Sequence, residues 1–176
     1  MQGWLIMFDM KLIVLSEYKV NKRTNTELKE YDLMLDDGRS VIADICEIFH
    51  ESKKIKFHVS GFGQDSWPVD CLYDLTSIIE QIPRILKDIA EDESNFILDF
   101  YEQGIERTIN FNLIEDNYIL TCESNTDWNP IPQVITIKKQ KIEIMLEQLV
   151  KYFLEYAGAL CPFLSKQPLL VEWMSY

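Results

Sequence analysis

In residues 107–115, RTINFNLIE, apolar side chains recur at every second position: Ile109, Phe111 and Leu113 alternate with Thr108, Asn110 and Asn112. That period predicts a strand with one buried and one wet face. Segments 95–102 and 118–123 read as flanking strands, joined through the turn-prone pairs Gln103-Gly104 and Asp116-Asn117. The three form a predicted meander. A second is predicted upstream. In YDLML (31–35), Tyr31, Leu33 and Leu35 alternate, and Asp37-Gly38 is the strongest hairpin signal in the chain. SVIADICEIF and then IKFHV, with Ile55, Phe57 and Val59 on one face, continue it, and residues 10–20 add a further strand.

Two stretches change to helical period. In 74–91 the apolar stripe is Leu75, Ile78, Ile79, Ile82, Leu86 and Ile89, with Asp74 or Thr76 as the expected cap. Pro83 is expected to kink this helix or to open a second one. In 139–160 the stripe is Ile142, Met145, Leu146, Leu149, Phe153, Ala157 and Leu160, and Gly158 and Pro162 mark its end. Strands follow one another in hairpins and do not alternate with helices. The fold class is therefore α+β: a mainly antiparallel sheet of about six to seven strands in two meanders, with two main helices packed on it. Residues 1–176 fit a single domain.

Between strand and helix lies SGFGQDSWPVD (60–70). It lacks the third glycine of a dinucleotide fingerprint and the Gly-Lys-Ser/Thr of a phosphate loop. Asp65, Asp70 and Asp74 would repel a phosphate at the helix start, so the stretch reads as a turn. Its glycines give backbone freedom, and Pro68 directs the chain onward.

Composition narrows the chemistry. A 47% hydrophobic, 12% aromatic chain has a folded core. Cys46, Cys71, Cys122 and Cys161 form no CxxC pair and read as buried thiols in a reducing compartment. The opening MQGWLIMFDMKLIVL has no basic leader region, and Met10 is an alternative start. The expected location is cytoplasmic. Cys46 and His50 share a predicted strand face but lack a third ligand, and neither GxSxG nor HExxH occurs. The tripeptides Glu27-Leu-Lys29 and Glu51-Ser-Lys53 lack the apolar strand that a restriction-type nuclease needs. No catalytic residue, cofactor or metal is assigned.

Charge changes the picture most. The net charge is −12, and residues 61–137 hold fifteen acids against Arg84, Lys87 and Arg107, which accounts for essentially all of it. Such a field repels nucleic acid and anionic membranes and attracts a basic protein. The charges expected to meet that partner are Asp65, Asp70, Asp74, Glu102, Glu106, Glu123 and Asp127, with Trp67 and Trp128 as aromatic anchors.

A small, acidic α+β chain without catalytic motifs resembles the immunity proteins of bacterial contact-dependent and polymorphic toxin systems. The run WPVDCLYDL…FYEQGIER…CESNTDWNP, from Trp67 to Pro130, also resembles uncharacterised bacterial proteins with similar Trp-Pro and Phe-Tyr-Glu-Gln-Gly segments. The resemblance implies a stoichiometric inhibitor whose partner is a cognate toxin domain, often a basic nuclease. It transfers no individual residue. Two other readings stand beside it. One is a carboxylate- or metal-dependent hydrolase built on Asp99, Glu102, Glu106 and Glu123. The other is a scaffold subunit that self-associates through the apolar tail PLLVEWMSY.

Overall fold

The computed structural model describes residues 7–17, 29–91, 93 and 95–175. Among them the order is β1 (Asp9–Val14), α1 (Gly38–Ser52), β2 (Ile55–Ser60), α2 (Asp74–Ala90), β3 (Asn95–Phe100), β4 (Arg107–Ile114), β5 (Asn117–Ser124), β6 (Val134–Lys138), α3 (Lys139–Leu160) and α4 (Pro168–Trp173). The fold is α+β, as the hydrophobic pattern predicts. Its strands divide between two antiparallel sheets, β1-β2 and β3-β4-β5-β6.

The larger sheet is the meander read from the sequence, extended by β6. Ile109 pairs with Leu98 and Cys122, and Phe111 with Phe96 and Leu120. These side chains are buried on one face, while Asn110, Asn112 and Thr121 lie on the other, wetter face. Ile135 and Ile137 repeat the alternation in β6 and are buried too, a short signal that the three-strand reading passes over.

The upstream meander is corrected. Residues 38–52 are helical, and 31–37 form a turn. Val41, Ile42, Ile45, Cys46 and Phe49 fall on one helical face and are fully buried, so burial along that face decides against a strand. Asp37-Gly38 is a helix start, not a hairpin: the Asp37 carboxylate accepts the Arg39 N–H at 2.8 Å. Cys46 and His50 consequently do not share an exposed strand face; Cys46 is buried and His50 is exposed. The strand expected over 10–20 is Asp9–Val14, and residues 18–20 lie outside the described residues.

Three long helices replace the expected two. Helix α2 runs unbroken through Pro83, whose ring is buried. Its start is held by a reciprocal pair that the sequence reading does not anticipate. Asp70 accepts from the Tyr73 and Asp74 N–H groups at 2.7 and 3.3 Å, and Asp74 accepts the Asp70 N–H at 2.8 Å. The segment PLLVEW folds back as α4, with Leu170 buried and the Trp173 Nε1–H donating to the Glu80 carbonyl at 3.2 Å.

Gly38 permits that closure, since a Cβ there would lie 2.2 Å from Trp173 Cβ. Gly38→Ala is expected to cost about 1–3 kcal/mol through overpacking. Urea denaturation of the variant beside the native chain checks this.

Candidate functional site

Strands β3 and β5 end where β4 and β6 begin, so the connections 101–106 and 125–133 lie at the same end of the large sheet. The turn 61–73 joins them there. Gly61 and Gln64 form an isolated bridge, with Gly61 N–H donating to the Gln64 carbonyl at 2.9 Å. Gly63 adopts φ +85°, and a Cβ on it would sit 2.0 Å from the Ile131 carbonyl oxygen. Ile131 N–H donates to the Phe62 carbonyl at 3.0 Å, and Asn125 N–H to the Glu106 carbonyl at 2.9 Å.

Arg107 sits at the centre of this junction. Its guanidinium carbon lies 4.3 Å from the Trp67 ring centroid and 3.5 Å from that of Trp128. One nitrogen donates to Gln64 Oε1 at 2.9 Å, while Nε has no protein partner. The residue is 3% exposed, and desolvation lowers its pKa to about 10. Two indole faces are the main compensation for burying this cation. The sequence carries a signal for it: Arg107 shares parity with Ile109 and Phe111, hence the buried face of β4.

Trp67 is therefore a core residue. It meets Trp128 edge-to-face at 5.7 Å and Phe100 edge-to-face at 5.2 Å, and it donates to the Gly61 carbonyl at 3.2 Å. Trp128 is half-buried against it. Neither stands out from the surface as an isolated anchor. The more exposed aromatics on these connections are Tyr73 and Tyr101, at 57% and 49%.

All seven predicted acids belong to this end of the molecule, in two groups. Asp70, Asp74 and Glu102 line one open cavity of about 520 Å³ together with Pro68, Tyr73 and Gly104. Asp65, Glu106, Glu123 and Asp127 lie on the adjoining turns and the end of β5. Asp74 is buried at the cavity floor, and its pKa is raised to about 6. Desolvation is the largest cause, and the charges of Asp70 and Glu102 add to it against the opposing hydrogen bond from Asp70.

Asp99 and Glu123, two of the carboxylates considered for hydrolysis, are not cross-strand neighbours. Thr108 stands in register between Asp99 and Glu123. Two strand spacings set their Cα atoms about 10 Å apart. Among the described residues no group of three or more His, Cys, Asp or Glu could hold a metal ion. None of their helices is long and apolar enough to cross a membrane. The four thiols are buried and unpaired, with Cys71 raised to about 11 and Cys122 and Cys161 to about 12, chiefly by desolvation. They are poor nucleophiles near neutral pH. Comparison with known proteins finds no matching family model, no matching curated protein and no matching solved structure.

Two outcomes are expected. Arg107→Ala should lose about 3 kcal/mol, because a side chain packed against two rings is removed and Gln64 loses its Arg107 partner. Arg107→Lys should not restore it, since an ammonium lacks the planar face that packs on the indoles; urea denaturation followed by tryptophan fluorescence reads both. The Asp74 pKa lies above its unfolded value of 3.8, so its contribution to stability is present below about pH 4 and is lost as pH rises through about 6. Asp74→Asn keeps the oxygen that accepts from Asp70 and removes the charge. Its melting temperature relative to the native chain should rise between pH 4.5 and 7.5; a constant difference contradicts the assignment.

Proposed function

We propose that this chain is a stoichiometric protein-binding inhibitor that captures a basic partner on the acidic loop end, in the manner of a toxin-neutralising immunity protein. The observation that carries the reading is the shared cavity of Asp70, Asp74 and Glu102, with the exposed Tyr73 ring at its edge. A concavity that combines carboxylates with an aromatic wall suits a lysine or arginine side chain from a protein. The same charges disfavour phosphate-bearing ligands. The loops bearing these groups are held by Arg107, Trp67 and Trp128, so little ordering entropy remains to oppose binding.

In this mechanism the acids of 61–137 steer the encounter and the cavity then receives a basic side chain. Asp65, Glu123 and Asp127 contribute to steering from exposed positions. Trp67 and Trp128 act indirectly, by holding the loops in place.

The test is affinity capture from the native organism, washed at low and then high salt, followed by kinetics on the retained protein. Combined Glu102→Lys, Glu123→Lys and Asp127→Lys substitutions should slow association about tenfold or more at low salt and flatten its salt dependence. An association rate equal to that of the unaltered chain removes the acidic-surface mechanism.

A further inference from the structure

The segment between Tyr31 and Asp37 holds three consecutive large apolar side chains in solvent: Leu33, Met34 and Leu35 are 77%, 90% and 86% exposed. Isolated exposed apolar residues are ordinary, but a contiguous triplet on a fixed turn is a mark of an interaction site. This turn is fixed from within. The Asp32 carbonyl accepts the N–H groups of Leu35 at 2.9 Å and Asp36 at 2.7 Å. The Asp32 carboxylate accepts from Met34 N–H, and the Asp36 carboxylate from Asp32 N–H, both at 2.8 Å.

Both ends are also tied to the body. The Tyr31 hydroxyl donates to Asp44 at 2.5 Å, and Lys29 pairs with the same carboxylate at 2.8 Å. At the other end Asp37 caps α1 and pairs with Arg39 at 2.6 Å. The triplet itself takes no part in these ties, so its backbone is organised while its side chains remain free.

From the turn, contacts lead to the acidic cavity. Arg39 lies 5.6 Å from the Trp173 ring, and Trp173 donates to the Glu80 carbonyl at 3.2 Å. Tyr101 donates to the Glu80 carboxylate at 2.6 Å, and its neighbour Glu102 lines the cavity. We infer that Leu33, Met34 and Leu35 form the apolar anchor of the same partner-binding surface, inserted into an apolar pocket that basic residues surround on a protein partner. The inference rests on the acidic-surface reading above.

Charge selects this occupant. Among the described residues Glu30, Asp32, Asp36 and Asp37 flank the triplet against Lys29 and Arg39, and both of those cations are already engaged by carboxylates. A second copy would bring two acidic rims together, and an anionic lipid surface would be repelled. A pocket with a basic rim satisfies both the apolar tip and its border.

The experiment places a photoreactive benzoylphenylalanine at position 34 of the full chain, with position 147 on exposed α3 as control, and irradiates the native cells. The protein joined at 34 is identified, purified and titrated in real time against three chains: native, Leu33→Ser/Met34→Ser/Leu35→Ser, and the charge-reversed variant. The triplet variant is expected to melt as the native chain does, to dissociate about 30-fold faster and to associate within about threefold of the native rate. Charge reversal should act instead on association. Adducts no stronger at 34 than at 147, an adduct with a second copy or with lipid, or an unchanged dissociation rate overturns the anchor. If only the charge reversal is silent, the acidic capture falls, and the basic rim falls with it.

Discussion

The loop end of this molecule depends on one buried cation. Arg107 enters from β4 on the face that also carries Ile109 and Phe111, and it brings no carboxylate partner with it. Burying an unpaired guanidinium is costly, and two indoles and a glutamine oxygen are what offset the cost. Those groups come from the turn after β2 and the connection before β6, so satisfying one side chain fixes the relative position of two distant loops. Gly63 lets the first pass directly beneath the second. The acidic groups acquire their arrangement from this junction and, at the start of α2, from the reciprocal Asp70–Asp74 pair.

This accounts for what the sequence made legible. Helix α3 and the meander β3 to β5 were readable because their apolar periods run long enough to exclude the alternatives. The upstream meander failed on a window of five residues. Tyr31, Leu33 and Leu35 alternate, yet Leu33 and Leu35 are exposed, so the period reported no buried face at all. Asp37-Gly38 serves equally well as a hairpin turn or as a helix cap and first residue, and only the buried stripe from Val41 to Phe49 separates the two.

The site was half legible for a related reason. Charge counting located the acidic segment, but their meeting at one end follows from strand order, which composition does not contain. Trp67 and Trp128 read as anchors because they lie among acids in sequence. In space each faces Arg107, forty and twenty-one positions away respectively. The parity of Arg107 with buried residues was the available clue, and a charged residue on a buried face calls for a partner.

The same physics links Asp74 to binding under the proposed function. Its carboxylate is hard to ionise because it is buried beside two other acids, and its pKa of about 6 places that cost close to neutral pH. A lysine or arginine entering the cavity reverses the local field and pulls the pKa back down, so any proton still on Asp74 leaves as the cation arrives. Coupling of this kind is reciprocal: the ligand favours the ionised form, and the ionised form favours the ligand. The ionisation cost borne by the free chain thus becomes part of the driving force for capture. A buried acid at the start of α2 is then unfavourable for the isolated fold and useful to the complex.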